Sequence, residues 1–185
     1  DYETHLMEQF CKVNKKCGGC QWLQVPYEEQ LAIKEQQLQT LLGKYKMPAP
    51  MIPMEDPFFY RNKVQAAFFW DYKKKKTASG IFQSSSGHII QNDCCLLENR
   101  KAQQITATLR RLFDSFKIRP YDEKKGGGTV RHALIRCGYH SGEIMVVLVT
   151  ATPVFPSKNH FVQALREAHP DITTVVQNIN RDGSR

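Results

Sequence analysis

Three cysteines stand close together near the start of the chain, Cys11-x5-Cys17-Gly18-Gly19-Cys20, and an adjacent pair, Cys94-Cys95, follows far downstream. This spacing constrains the fold more than any other feature. If the thiols share one centre, an N-terminal loop must be pinned against a segment that is remote in sequence. Two glycines inside the close pair let the backbone turn tightly and aim its amides at an anionic centre. Three near thiols plus a distant fourth fit a 4Fe–4S cluster held by Cys11, Cys17, Cys20 and one of Cys94 or Cys95. Zinc is the alternative. It also takes four thiolates, but commonly as two close pairs. Free thiols are the bland alternative. The sixth cysteine, Cys137, alternates with apolar residues in a strand-like run and reads as a core residue.

Periodicity divides the rest of the chain. Residues 26–44 read as a helix, with Leu31, Leu38, Leu41 and Leu42 at helical spacing, Pro26 in the first turn and Gly43 at the end. Four prolines, Pro48, Pro50, Pro53 and Pro57, make an extended connector. Strands are expected at 61–70, 80–83, 88–91, 130–137, 143–151 and 173–178, and helices at 96–117 and 157–168. The Lys73–Lys76 run falls in an expected hairpin tip at 71–79, and Gly126-Gly127-Gly128 reads as a flexible loop. The order β-β-β-α-β-β-α-β predicts an α+β fold, a mostly antiparallel sheet with helices on one face, plus an N-terminal Cys-rich loop and helix. The expected division is 1–22 cluster-binding loop, 23–57 helix and Pro-rich connector, and 58–185 central α+β domain.

The chain has 185 residues, 41% of them hydrophobic, and a net charge of +8. That is enough for a packed core, and the positive balance favours phosphate-rich partners over acidic ones. No apolar run is long enough to span a membrane, and the polar, acidic start is no secretory signal. A cytoplasmic location is expected. The chain begins without Met and ends in turn-like residues, which suggests part of a longer protein.

Several short motifs, in order, resemble one family. They are Cys17-Gly18-Gly19-Cys20-Gln21-Trp22, Pro26-Tyr27-x2-Gln30-Leu31-x2-Lys34, Tyr60-Arg61-Asn62-Lys63, Gly80-Ile81-Phe82-Gln83, His88-Ile89-Ile90, Cys94-x-Leu96-Leu97, Arg131-His132-Ala133-Leu134-Ile135-Arg136, Gly142-Glu143-Ile144-Met145-Val146 and Gln177-Asn178-Ile179-Asn180. Together they resemble the bacterial RNA (uracil-5-)-methyltransferases of the 23S rRNA 5-methyluridine type that carry an iron–sulfur cluster. The resemblance spans residues 10–180. It implies Cys94 as the fourth ligand, with Cys95 where the family's Cys-Pro-Leu pattern has proline.

The resemblance further implies a cluster-bearing, RNA-recognising part of an S-adenosylmethionine-dependent enzyme. In that family a Cys thiolate adds to the uracil ring and a base later removes a proton. The expected catalytic domain would follow residue 180, so no catalytic residue and no S-adenosylmethionine site is assigned here. The helix and connector should pack on that missing domain, and the chain alone should bind RNA, with 23S rRNA the implied substrate, without methyl transfer. Tyr60, Arg61 and Lys63 combine a stacking ring with two cations, a chemistry suited to unpaired RNA. Arg131, His132 and Arg136 are expected to line the same surface. The alternatives are a stand-alone iron–sulfur or zinc RNA-binding module and, less well supported, a ferredoxin-like electron carrier.

Overall fold

A computed structural model describes residues 11–83 and 86–182. Residues 1–10 of the expected cluster-binding loop, and Ser84 and Ser85 of the expected turn before the third strand, lie outside the described residues. The elements are α1 (Asn14–Cys17), α2 (Tyr27–Leu42), β1 (Lys63–Asp71), β2 (Lys76–Phe82), β3 (Ile89–Gln91), α3 (Arg100–Ser115), β4 (Val130–Cys137), β5 (Ile144–Thr150), α4 (Lys158–Ala168) and β6 (Ile172–Ile179). The strands form one six-stranded sheet in the order β3-β2-β1-β4-β5-β6. Every pairing is antiparallel except β5–β6, which is parallel and is joined through α4. The expected α+β architecture is therefore present, and the parallel edge is the feature the sequence pattern did not anticipate. A parallel pair needs a crossover, and α4 supplies it.

Alternation gives the sheet a dry face. Val64, Ala66 and Phe68 of β1, Ala133 and Ile135 of β4, and Val146 and Leu148 of β5 are buried in one core. Ala102, Ile105, Leu109 and Phe113 of α3 recur at three- and four-residue steps and pack there, joined by Phe161 and Leu165 of α4. Phe113 is the hub. Its ring meets Phe68 edge-on at 4.9 Å and stacks on Phe161 at 5.4 Å. Each such pair adds about 0.5–1.5 kcal/mol beyond the area it buries. Both helices lie on this side, and among the described residues no helix covers the opposite sheet face.

Three local details differ from the expected boundaries. Helix α3 starts at Arg100, not 96, because the Asn99 side chain caps it, accepting from the N–H groups of Lys101 and Ala102. Leu96 and Leu97 are then free to pair along the chain before β1. The hairpin tip is shorter than 71–79. The Asp71 carboxylate accepts from the N–H groups of Lys73 and Lys74, Lys75 is left-handed, and Lys76 already pairs with Asp71. The glycine triplet is not a loose loop. Asp122 and Gly127 form a bridge, and Gly128, at φ +116°, lies so close to Pro120 that a Cβ would sit 2.2 Å from its carbonyl oxygen.

Helix α2 stands apart from this core and none of its residues is buried. Its first half is tied down. Gln30 Nε2 donates to the carbonyls of Trp22 and Val25, Glu35 accepts from the Met51 N–H, and the Tyr27 hydroxyl accepts from the Met54 N–H. Its second half presents Leu38, Leu41 and Leu42 to solvent. Among the described residues no helix is long and apolar enough to cross a membrane.

Candidate functional site

The chain that enters β1 runs beside the segment that leaves β3. The N–H of Phe59 donates to Leu96 O, that of Arg61 to Leu97 O, and that of Asn99 back to Arg61 O, at 2.8, 2.8 and 3.0 Å. This short parallel pairing sets the downstream cysteine pair beside Arg61 and the N-terminal cysteine loop. Helix α1 ends at Gly18 in a left-handed cap, which reverses the chain between Cys17 and Cys20. A Cβ on Gly19 would stand 3.1 Å from Cys17 Sγ, so this position favours the absence of a side chain.

Burial pushes the Cys20 thiol up to about 11. The Cys95 and Cys17 thiols add to the rise, Arg61 opposes it, and Cys11 adds a further increment. Cys20 therefore lies within electrostatic reach of Cys95, Cys17 and Cys11. Burial also raises the Cys95 thiol and the Glu98 charge adds to the rise, while the backbone amides of Leu97 and Glu98 and the Arg61 charge oppose it. Cys94 is exposed, and its backbone N–H is engaged with Asn92 Oδ1 at 3.3 Å. The resemblance implies Cys94 as the fourth thiol; Cys95 is the more buried of the pair. Nothing in the local pattern of two adjacent cysteines distinguishes them. The difference arises because Cys95 immediately precedes the stretch bound to Phe59 and Arg61. Among the described residues, no three His, Cys, Asp or Glu side chains are gathered tightly enough to hold a single metal ion. Cys137 is a buried core residue, as expected.

Two cavities flank Arg61. The smaller, about 440 Å³, lies between the cysteine loop, the start of α2 and the connector, with Cys20, Trp22, Lys34, Tyr60 and Arg61 in its walls. The larger, about 810 Å³, is a trough on the helix-free face of the sheet. Cys17, Gly18 and Gly19 close one end, and Arg61, Lys63, Gln65, His132 and Tyr121 line it. The expected cationic surface is thus mostly assembled in one place. Arg61, Lys63, Arg131 and His132 share the trough, Tyr60 shares the smaller cavity with Arg61, and Arg136 is the cross-strand partner of Lys63. Like charges directly opposite each other on a sheet repel, so the Lys63–Arg136 pair is a place where an anion is welcome.

Arg131 is placed differently from the rest. It is only 8% exposed; it forms an ion pair with Glu123, stacks over the Tyr121 ring at 4.0 Å and donates to the carbonyls of Asn180 and Arg181. Its donors are spent inside the protein, and it clamps the end of β6 to β4 rather than presenting a free cation. His132 is half-buried, and burial followed by the Arg131 charge keeps its pKa below the ordinary histidine value, so the neutral ring is favoured. Glu98 also lines the trough. Burial raises its pKa, with Arg61 partly offsetting the rise. Tyr121 and Gln65 are residues of the trough that sequence reasoning did not single out; only Gln65 had a usable signal, as it alternates with buried Val64 and Ala66.

No protein-family model matches the chain. Curated relatives do. The chain is 34% identical over 183 residues to an uncharacterized RNA methyltransferase of Oceanobacillus iheyensis, covering 96% of this chain and 39% of the relative. It is 36% identical over 180 residues to one of Clostridium acetobutylicum, covering 94% of this chain and again 39% of the relative. The chain therefore spans about two fifths of the length of these relatives. Among solved structures, the crystal structure of Pyrococcus abyssi tRNA (uracil-54, C5)-methyltransferase, in complex with S-adenosyl-L-homocysteine, matches with a TM-score of 0.70 and 24% identity, over 92% of this chain and 38% of that one. The fold described above is shared with part of that structure, and the sequence is homologous to part of proteins named RNA methyltransferases.

Proposed function

We propose that this chain is the cysteine-rich, RNA-recognising part of an S-adenosylmethionine-dependent RNA uracil-5 methyltransferase. The observation that carries this is the homology to RNA methyltransferases along nearly the whole chain, joined to a cationic trough on the helix-free face of the sheet. Arg61 and Lys63 supply charge for phosphates, with Arg136 beside Lys63. Tyr60 supplies a ring that is 51% exposed. Arg131 serves as a structural clamp.

The cysteine group fits a 4Fe–4S cluster better than a zinc ion. Three near thiols with a distant fourth suit a cluster, whereas zinc commonly takes two close pairs. Gly19 leaves room against Cys17 Sγ, and the Leu97 and Glu98 amides would steady a Cys95 thiolate. Cys11, Cys17, Cys20 and Cys95 would hold the cluster. Its contribution there is structural: it fastens the N-terminal loop to the sheet edge where RNA is received.

Methyl transfer, in this proposal, needs the remaining three fifths of the relatives' length. Leu38, Leu41 and Leu42 of α2 are the surface prepared for that part, since an isolated helix with an uncovered apolar stripe is marginal. The experiment is methyl transfer from labelled S-adenosylmethionine to 23S rRNA fragments and to tRNA, by this chain and by the protein encoded by its whole reading frame. 5-Methyluridine is expected in ribosomal RNA with the whole protein, and RNA binding without product with this chain. Product in tRNA alone would replace the ribosomal substrate. A reading frame that encodes no methyltransferase domain would support a separate RNA-binding module instead.

A further inference from the structure

The trough does not stop at Tyr121. Beyond it a second cavity of about 670 Å³ continues along the same face, sharing Phe82, Ile89, Tyr121 and Glu123 with the first. Its character changes. Phe69, Trp70, Tyr72, Phe82 and Tyr121 stand in its walls, and its polar residues are the basic Arg119, Lys124 and Lys125 together with His88, Asp122 and Glu123. Tyr72 is 62% exposed. The Arg119 guanidinium covers the Trp70 ring at 3.6 Å, and Lys125 Nζ lies 4.5 Å from the centre of the Tyr72 ring while donating to its hydroxyl at 2.6 Å.

This end is built in advance. Its wall is the turn from Arg119 to Gly128. Asp122 Oδ1 accepts from the N–H groups of Lys124 and Lys125, Asp122 and Gly127 exchange backbone contacts, and Gly128 packs without a side chain on Pro120. Lys73–Lys76 at the neighbouring hairpin tip are all exposed. Six lysines around this end, Lys73–Lys76, Lys124 and Lys125, face three carboxylates, those of Asp71, Asp122 and Glu123. Rings set among an excess of cations suit a flat π-surface that brings phosphate with it.

We infer that this aromatic end of the trough receives an unpaired nucleobase of the bound RNA, stacked against the Tyr72 side of the cavity, with the adjoining phosphate held by Lys124 and the hairpin lysines. The inference rests on the RNA-binding function proposed above and extends it. The RNA would lie along the sheet from the cysteine loop past Arg61 to Tyr72, so recognition would require a single-stranded stretch at this end rather than a duplex.

The experiment measures binding of a fluorescent single-stranded RNA, and of the same sequence as a duplex, to this chain and to Tyr72→Ala, Tyr72→Phe, Lys124→Glu and Arg61→Ala. Stacking on one ring is worth about 1–3 kcal/mol, which converts to a loss of about fivefold or more for Tyr72→Ala, with an unchanged salt slope. Lys124→Glu should lower the slope. Tyr72→Phe keeps the ring but not the bonds to Lys125 and Asp122, and should retain the affinity. A 2-aminopurine placed in the RNA should be quenched by the parent protein and not by Tyr72→Ala. Tyr72→Phe losing as much as Tyr72→Ala would overturn the inference, because the effect would then lie in loop positioning. Parent-like binding by Tyr72→Ala while Arg61→Ala weakens would also overturn it and leave the trough intact. If Arg61→Ala binds like the parent too, the RNA-binding function itself fails.

Discussion

The backbone N–H of Arg61 donates to the carbonyl of Leu97 at 2.8 Å, and this bond joins the two halves of the proposed site. Arg61 lines the trough, while Leu97 lies two residues beyond Cys95.

Arg61→Ala should weaken binding of single-stranded RNA and reduce the slope of log affinity against log salt by about one, the signature of one lost phosphate contact. Fluorescence anisotropy at several salt concentrations checks this. An unchanged slope would remove Arg61 from the phosphate contacts.

Asp114→Ala should destabilise the fold. The Asp114 carboxylate accepts from both the N–H and the hydroxyl of Thr77, which is 3% exposed, at 3.0 and 2.6 Å. Leaving those buried donors without a partner costs about 1–3 kcal/mol. Urea unfolding of the two proteins reads the difference directly. Equal midpoints would show that this bond between β2 and α3 contributes nothing.

Gly80→Ala should separate β3 from β2, because a Cβ at that position would stand 2.0 Å from the Ile90 carbonyl oxygen, which is backbone and cannot swing away. The overpacking costs about 1–3 kcal/mol. Since β3 leads directly to Cys95, metal content should fall along with stability. A variant of parent-like stability and metal content would contradict the tight β2–β3 register.

Stability should fall as pH drops below the ordinary histidine range. His169 is buried, with Nε2 2.9 Å from Thr108 Oγ1, and burial followed by the Lys101 charge lowers its pKa despite the opposing Asp171. The folded state thus holds the neutral ring, while the unfolded chain takes up a proton near pH 6.5. Between those two values the unfolded state binds more protons, so stability rises with pH there and is lost as pH falls through about 6.5. His132 acts in the same direction. Thermal melts of the parent and His169→Gln across this window test it. The variant should show a shallower dependence, and an identical slope would acquit His169.

Much of the sheet and of its helical cover was legible because strand alternation and helical periodicity each carry one buried face, as in β4, β5 and α3. What escaped was decided by contacts between remote segments. The start of α3 moved to Arg100 because the Asn99 side chain caps it there, while Leu97 is bound to Arg61. The parallel pairing of β6 depends on where α4 delivers the chain. The glycine triplet became a hydrogen-bonded turn because Asp122 pairs with Gly127 and Gly128 lies against Pro120. At the site, the spacing of Cys11, Cys17 and Cys20 and the cations of β1 were readable as candidates. The greater burial of Cys95 than of Cys94 was not, because it follows from the pairing of the Leu96–Leu97 stretch with Phe59 and Arg61. Arg131 looked like a surface cation in sequence, yet it closes over Tyr121 and the end of β6.

A metal–sulfur centre is proposed to fasten the cysteine loop at the head of an RNA-receiving sheet. Iron and acid-labile sulfide content of anaerobically prepared protein tests it most directly, measured for the parent, Cys94→Ser and Cys95→Ser. The account expects about four irons and four sulfides per chain in the parent and in Cys94→Ser, and loss of both in Cys95→Ser. Zinc in place of iron, or a Cys94→Ser protein that loses the cluster while Cys95→Ser keeps it, would contradict it.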